Sequence, residues 1–251
     1  MTTRVLITGM SGLIGGIMRR ALHDKYDLVA LNRTEVPGIE CHQADISDLE
    51  AIRPAFEGVD VVLHLAAFAA SDASWDDVLK HNVIGTYSVF EAAREANVKR
   101  VVFASSGAVT SNVELESPYQ ELVAGPDQPL PADWTRLDHL SPVRPTEFYG
   151  CSKVFGEALG RHYSDRFGLS VICVRIGAVR PDDRPTQPRH YSIWCSHRDI
   201  TQMLEKCIAA PEELRYDVFY AVSNNPRSYR SWKHGQEVLG FVPQDNADLV
   251  S

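Results

Sequence analysis

The stretch that decides the fold is Val5-Leu-Ile-Thr-Gly-Met-Ser-Gly-Leu-Ile-Gly15, where a short apolar run leads into three glycines spaced G-x-x-G-x-x-G. Glycines at this spacing let the backbone turn tightly, approach a pyrophosphate and pack the following helix against the strand. The free N–H groups at the start of that helix then face the phosphates. This strand-to-helix placement predicts a dinucleotide site. The predicted contacts are Gly9, Ser11, Gly12, Leu13 and Ile14.

Short apolar runs rich in β-branched residues alternate with stretches of helical periodicity along the chain. Such runs are typical of buried parallel strands, and the β-α-β alternation predicts an α/β fold with a Rossmann-type doubly wound parallel sheet. The predicted strands are residues 5–7, 28–31, 61–65, 101–104, 171–174 and 218–222. The predicted helices are residues 13–23, 48–56, 75–96 and 149–167.

The chain length of 251 residues suits one large domain better than two. Residues 1–175 form the predicted dinucleotide-binding core. Residues 176–251, where the alternation becomes irregular, are expected to be mostly a small C-terminal substrate-binding region. A proline-rich excursion at 107–148 interrupts the core, and a connection of this length is either a functional lid or an ordered surface excursion.

Composition excludes several classes of function. The net charge of −8 and the lack of a basic stripe argue against nucleic acid as a partner. No apolar run approaches a membrane span, and the N-terminus lacks the apolar region of a signal peptide. The five cysteines are scattered without zinc spacing, so no metal is expected. We therefore expect a cytoplasmic protein without a membrane partner.

The end of the second strand distinguishes the two nicotinamide cofactors. NAD sites normally place Asp or Glu here to accept from the ribose 2′-OH, whereas NADP sites place an Arg near the 2′-phosphate. This chain has Asn32-Arg33, which offers a guanidinium to pair with a phosphate and no carboxylate to repel it. The cofactor is therefore predicted to be NADP or NAD, with a preference for NADP. The preference is slight because Asn32 can still hydrogen-bond the unphosphorylated ribose of NAD.

Two further segments are expected to contact the cofactor. One follows the expected third strand, where Asp45 can accept from an adenine amino group, and helix capping is the alternative role for this segment. The other ends the fourth strand, where small side chains either let the backbone approach the cofactor or pack in the core. The predicted contacts are Asp45, Ile46, Leu65, Ala66 and Ala67.

Tyr149 and Lys153 lie four residues apart at the start of a predicted helix, which puts the phenol and the ammonium on one face. A free tyrosine has a pKa of about 10. A nearby cation lowers the pKa of the phenol, which can then exchange protons near neutral pH. Oxidation of a carbinol requires the O–H proton to leave as hydride is removed. The pair is therefore predicted to be the acid–base centre of an oxidoreductase and to contact the cofactor.

Ser105 and Ser106 follow the apolar run at 101–104, at the sheet edge where ligands bind. Ser106 is predicted to hydrogen-bond the reacting oxygen of the substrate, while one of the two serines can instead cap the strand end. Asn82 lies inside a predicted helix, where Asn is unfavourable. This misfit indicates either a structural or a proton-relay task.

With these residues in place, the chain resembles the extended short-chain dehydrogenase/reductase superfamily, which includes the NAD-dependent epimerases and dehydratases. The resemblance covers residues 3 to about 180. It rests on the glycine fingerprint, Asp45-Ile46, Asn82 in its N-x-x-G setting, Ser106 and the Tyr149/Lys153 pair. It implies that the tyrosine is the acid–base, that the lysine also binds the nicotinamide ribose, and that the serine polarises the substrate oxygen.

Within the superfamily the chain is similar to uronate dehydrogenases, which oxidise C1 of a hexuronate to the lactone with NAD. This similarity lies in six segments: residues 103–106, 149–157, 174–177, 189–194, 196–199 and 239–246. It implies that Ile176 contacts the cofactor and that Arg189 grips the substrate carboxylate. The family's substrate-binding serine aligns with Ala69, which leaves Ser71 as a neighbouring candidate. An arginine suits a phosphate as well as a carboxylate, so Arg189 alone does not identify the anion.

The predicted function is NAD(P)-dependent oxidation of a sugar hydroxyl, at C1 of a hexuronate or another anionic aldose, to the lactone. One alternative is a nucleotide-sugar epimerase or dehydratase, although Ser106-Gly107-Ala108 replaces the Thr-Asp-Glu element of dehydratases. The other is a non-catalytic NAD(P)-binding sensor, although such proteins commonly lose the Tyr/Lys pair. The resemblance also implies a homodimer through the helices at 75–96 and 149–167.

Overall fold

The first strand, β1 (Arg4–Thr8), is apolar on both faces and lies inside a parallel sheet. Its residues Val5, Leu6 and Ile7 are fully buried, as expected for a strand covered by helices on both sides. The computed structural model describes residues 2–69 and 73–250. The other strands are β2 (Asp27–Asn32), β3 (Glu40–Gln43), β4 (Val61–His64), β5 (Arg100–Ser106), β6 (Ser170–Ile176) and β7 (Tyr216–Ala221).

These strands pair in the order β3-β2-β1-β4-β5-β6-β7, and every pairing is parallel. The order reverses direction between β1 and β4, which is the switch point where doubly wound sheets open a crevice for ligands. The Rossmann-type sheet predicted from the alternation is confirmed. β3, with the sequence Glu-Cys-His-Gln, is an edge strand and lies directly before Asp45, where the sequence analysis expects the third strand.

Helices cover both faces of the sheet. They are α1 (Leu13–Leu22), α2 (Leu49–Ile52), α3 (Trp75–Asp77), α4 (Gly85–Glu95), α5 (Tyr119–Val123), α6 (Phe148–Phe167), α7 (His190–Ile193), α8 (His197–Ile208) and α9 (Lys233–Leu239). Met18 of α1 and Met203 of α8 belong to the core on one face. Phe90 of α4 and Tyr163 of α6 belong to the core on the other. None of the helices among the described residues is long and apolar enough to cross a membrane.

Two predicted helices change character along their length. Residues 48–56 form α2 and then a 3₁₀ turn (Arg53–Phe56), because Pro54 lacks the N–H that an α-helix needs. The helix predicted over 75–96 contains a π-helical segment (Val78–Ile84) between α3 and α4. Wide turns of this kind are frequent at functional sites.

The C-terminal part of the chain completes the sheet with β7, which corresponds to the strand predicted at 218–222. Helix α8 crosses between β6 and β7, and both strands lie in the sheet. The region 176–251, expected to be mostly substrate-binding, thus also supplies a crossover helix and an edge strand.

The proline-rich excursion is ordered against the C-terminal residues. It contains a 3₁₀ segment (Gly107–Leu115) and α5, and Leu122 packs with Ile193 and Tyr229 in a small core of its own. Its later part forms a parallel backbone bridge between Leu137 and Arg230.

Candidate active site

A glycine-lined cradle opens at the carboxyl end of β1. Gly9 has a φ of +71°, and a Cβ there would lie 2.9 Å from the Cα of Ala66. A Cβ at Gly15 would lie 2.5 Å from the carbonyl oxygen of Gly9. Helix α1 begins at Leu13, and its N-cap residue Gly12 makes no side-chain cap, so the first N–H groups of the helix remain available for an anion. This cradle fits a pyrophosphate.

Two adjoining clefts extend from the cradle, with volumes of about 290 and 400 Å³. They share Gly9, Gly12, Leu65 and Ala67, so they form one elongated groove. Every cofactor contact predicted from the sequence lines one or both of them. The smaller cleft is lined by Ser11, Asn32, Arg33, Asp45, Ile46 and Ala66, and the larger by Leu13, Ile14, Tyr149, Lys153 and Ile176. The groove thus has the shape and lining for a nicotinamide dinucleotide.

Asn32 and Arg33 differ sharply in exposure at the end of β2. Asn32 is 6% exposed, and its amide donates to the Ser11 hydroxyl at 2.8 Å and to the Thr34 carbonyl at 3.2 Å. Its oxygen accepts from the Ser11 backbone N–H at 3.4 Å. Asn32 therefore braces the glycine loop, whereas Arg33 is exposed at the mouth of the smaller cleft.

Asp45 holds its own loop. Its carboxylate accepts from the backbone N–H and hydroxyl of Ser47 at 3.0 and 2.9 Å and pairs with Lys80 at 3.0 Å. Partial burial alone would raise the pKa of Asp45, but these donors lower it to about 2. Helix capping is done by the neighbouring Asp48, which accepts from the Ala51 N–H. Asp45 remains part of the cleft wall.

His64, a residue that sequence reasoning missed, organises the floor of the groove. Its Nδ1 lies 2.8 Å from the Thr8 hydroxyl, whose oxygen also accepts from the backbone N–H groups of Leu65 and Ala66. Burial lowers the pKa of His64 to about 3, with a smaller contribution from the charge of Lys153. The imidazole is therefore neutral near pH 7 and fixes the backbone where β4 ends. A polar side chain at the end of a buried strand was the available signal.

Tyr149 and Lys153 face the larger cleft together, as their spacing predicts. The Lys153 Nζ lies 5.5 Å from the centre of the Tyr149 ring and 4.9 Å from that of Phe103. Burial raises the pKa of Tyr149, and a hydrogen bond with Ser106 opposes this increase. The lowered pKa expected for Tyr149 is therefore wrong in direction. Burial instead lowers the pKa of Lys153 to about 7, so the lysine exchanges protons near neutral pH.

The two serines at the end of β5 have separate tasks. Ser105 is buried and donates to the Glu157 carboxylate at 2.6 Å, and Glu157 in turn forms a buried pair with Arg175 at 2.8 Å. Ser106 lines the larger cleft and hydrogen-bonds Tyr149. Its oxygen also accepts from the Ala108 N–H and so caps the 3₁₀ segment. Ser106 is the serine that is placed to reach a substrate oxygen.

Asn82 lies in the π-helical segment and is 2% exposed. Its oxygen accepts from the Phe68 N–H at 2.7 Å, and its amide donates to the Phe68 carbonyl at 3.0 Å and to the Ser152 hydroxyl at 3.1 Å. Ser152 donates to the Tyr149 carbonyl at 2.7 Å. Asn82 therefore joins the loop after β4 to the first turn of α6, which carries Tyr149.

Arg189, predicted to hold the substrate's anion, is in a salt bridge with a protein carboxylate. Its Nε and Nη2 donate to Glu114 at 2.6 and 2.8 Å. Sequence reasoning missed Glu114 as this partner, and it missed Tyr229 and Arg230, which lie beside the Glu114 carboxylate. Ser71, the other predicted substrate contact, lies outside the described residues.

The arrangement combines a dinucleotide groove with a phenol, an amine and a hydroxyl at one end. Such a set can bind an alcohol oxygen, move its proton and hold the adjacent carbon near the end of a bound dinucleotide. In residues 2–69 and 73–250, no group of three or more His, Cys, Asp or Glu side chains is placed to hold a metal ion.

The chain is similar to known proteins along its length. The chain matches the NAD dependent epimerase/dehydratase family over residues 5–190. An NAD-dependent glucose-6-phosphate dehydrogenase of Haloferax volcanii is 36% identical, with 97% of this chain and 94% of the relative covered. An L-arabinose 1-dehydrogenase (NAD(P)(+)) of the same organism is 34% identical, with 98% of each covered.

A solved structure extends this similarity to the whole fold. It is a uronate dehydrogenase variant from Agrobacterium tumefaciens in complex with NAD. The two structures have a TM-score of 0.82 at 31% identity, with 98% of this chain and 86% of that one covered.

Proposed function

Because the chain belongs to the NAD-dependent epimerase/dehydratase family, we propose that it oxidises C1 of an anionic aldose, foremost a hexuronate, to the lactone. The observation that carries this proposal is the meeting of Tyr149, Lys153 and Ser106 in the cleft that continues the glycine cradle. The related proteins have names that describe dehydrogenases of a sugar phosphate, a pentose and a uronate. They support an aldose as the substrate class.

In this proposal the side chains divide the work. Ser106 donates to the reacting sugar oxygen and orients it toward Tyr149, whose phenol exchanges the hydroxyl proton. Lys153, with its pKa lowered to about 7 by burial, stabilises the phenolate when charged and exchanges a proton with bulk water through the cleft. The nicotinamide, when bound, supplies the hydride acceptor. Arg189 holds the anionic group of the sugar.

For the cofactor we propose NADP or NAD, with the preference for NADP retained from Asn32-Arg33. Arg33 is exposed where β2 ends and lines the smaller cleft, so its guanidinium is free to meet a 2′-phosphate. The side-chain amide of Asn32 already donates hydrogen bonds to Ser11 and Thr34, so Asn32 supports the loop. A carboxylate, the usual ligand of an unphosphorylated ribose, is absent from this dipeptide.

The test is absorbance at 340 nm with uronates, neutral aldoses and sugar phosphates, each with NAD and NADP. We expect net cofactor reduction with a uronate. Tyr149→Phe should lower kcat by about 10²–10⁴-fold, the usual contribution of a positioned acid–base group. Tyr87→Phe is the matched control, because Tyr87 lines neither cleft of the groove and the substitution keeps its aromatic ring. Failure of every aldose to reduce either cofactor, or full activity of Tyr149→Phe, would contradict the proposal.

We also propose a homodimer formed through α4 and α6. Exposed large apolar side chains on these helices, and on the turn that leads into α4, include Ile84 (42%), Tyr87 (46%) and Phe155 (36%). Packing of these side chains against a second copy of the chain removes apolar surface from water, and this is the main driving force of association. Light scattering during gel filtration should give twice the chain mass, and Phe155→Glu should reduce it to the monomer mass.

A further inference from the structure

A cluster of four charged and polar side chains lies beside the catalytic residues. Glu114 is at its centre, and it accepts two hydrogen bonds from Arg189 and one from the Tyr229 hydroxyl. The guanidinium of Arg230 lies 3.9 Å from the same carboxylate. One carboxylate is thus shared between two arginines that come from different parts of the chain.

This cluster contacts the residue that follows Ser106. Arg230 donates to the carbonyl oxygen of Gly107 at 2.9 Å, and Gly107 directly follows Ser106. A Cβ at Gly107 would lie 2.2 Å from the Arg230 guanidinium, so the glycine is what admits this side chain. Arg189 interacts electrostatically with Glu147, the residue at the N-cap of helix α6, which carries Tyr149.

The two arginines differ in their exposure and in whether their guanidinium donors have hydrogen-bond partners. Arg189 is exposed by 44%, and its bidentate face is the one that already holds a carboxylate. Arg230 is 1% exposed, and its Nε is buried without a hydrogen-bond partner among the described residues. A buried donor without an acceptor is energetically unfavourable. Glu114 is the carboxylate near enough to supply that acceptor after a change of side-chain torsion.

We propose that Glu114 is an internal substitute for the substrate's anionic group. In the free enzyme it occupies Arg189. When an anionic sugar binds, the sugar's carboxylate takes the place of Glu114 on Arg189, and Glu114 turns to the unpartnered Nε of Arg230 while it keeps the Tyr229 hydroxyl. The exchange leaves each guanidinium with a carboxylate and leaves no buried charge unpaired, which avoids the main cost of moving Glu114.

The exchange makes Glu114 a specificity-determining residue, and this inference rests on the proposed function. The carboxylate of an anionic sugar can replace Glu114 as the partner of Arg189, whereas a neutral sugar has no charged group that can do so. Glu114 therefore weakens binding of anionic substrates by direct competition and leaves binding of neutral substrates unchanged. Arg230 assists only the anionic substrates, because it receives the displaced carboxylate.

The test compares D-glucuronate with its uncharged parent, D-glucose. Each sugar is titrated calorimetrically onto the full chain, with and without NADH, so that no turnover occurs. Glu114→Gln, which keeps the shape but lacks the charge, should bind glucuronate about tenfold more tightly and bind glucose unchanged. The matched control is Glu116→Gln, an exposed residue that pairs with Arg144. It should change neither affinity.

A double-mutant cycle separates exchange from simple electrostatics. Arg230→Gln should weaken glucuronate binding about tenfold when Glu114 is present and leave it unchanged in the Glu114→Gln background, where no carboxylate needs a second partner. An equal effect in both backgrounds overturns the exchange. If Arg230→Gln does not fold, Glu114→Gln alone decides: weaker or equal glucuronate binding, or an equal gain for glucose, overturns it. Absence of sugar oxidation by the wild type contradicts the proposed function but leaves this binding test intact.

Discussion

Replacement of Lys153 by methionine should stabilise the protein near neutral pH. Burial lowers the pKa of Lys153 from 10.5 to about 7. Below pH 7 both the folded and the unfolded chain carry this proton, so folding must bury a charge, and above pH 10.5 neither does. Each tenfold change in proton affinity corresponds to about 1.4 kcal/mol, so the full penalty is about 5 kcal/mol. The free energy of unfolding of the wild type therefore rises between about pH 7 and pH 10.5 through this group.

Urea unfolding from pH 6 to pH 10 measures the effect. Lys153→Met should be more stable than the wild type by about 4 kcal/mol at pH 7, and the difference should fall below about 1 kcal/mol at pH 10. Other titrating groups contribute equally to both proteins and cancel in the difference. Lys233→Met, at an exposed position, is the control and should show no such trend. The reasoning is refuted if the stability difference is independent of pH or if Lys153→Met is the less stable protein at pH 7.

Three other changes test the groove and its support. Gly15→Ala places a Cβ 2.5 Å from the Gly9 carbonyl oxygen. It should destabilise the protein by about 1–3 kcal/mol in urea unfolding and weaken NADH binding in a fluorescence titration. Unchanged stability and affinity would disprove the close approach. Arg33→Ala should raise the Kd for NADP about tenfold and leave that for NAD unchanged; equal effects on both would remove Arg33 from phosphate recognition. Glu157→Gln should cost about 3–5 kcal/mol in urea unfolding, because Arg175 loses a buried partner; a loss below about 1 kcal/mol would contradict this.

Local patterns in the sequence were enough to predict the frame of the site. The spacing of the three glycines, the apolar runs of the inner strands and the one-turn separation of Tyr149 from Lys153 each depend on residues close together in the chain. Backbone geometry connects such patterns to structure directly. For this reason the doubly wound sheet, and the groove lined by the predicted cofactor contacts, follow from residues that lie within a few positions of one another.

Contacts between distant residues decided the electrostatics. The pKa of Tyr149 is raised and that of Lys153 lowered because the fold buries both, and spacing along a helix contains no information about burial. The role of Asn82 depends on Phe68 and Ser152, which are distant in the chain and which the fold brings to its side-chain amide. The same applies to His64, which is an ordinary strand residue in the sequence and a buried neutral brace in the fold.

The sequence by itself determined the class of sheet and the placement of Tyr149 and Lys153 on one helical turn, because these depend on short-range periodicity and backbone geometry. Only the tertiary structure decided which charges meet. Arg189 looks free in the sequence, yet Glu114 from 75 positions away occupies its guanidinium, and Tyr229, which is 115 positions from Glu114, donates to the same carboxylate. Electrostatic interactions act through space, so the partners of a charged group become known when the chain has folded.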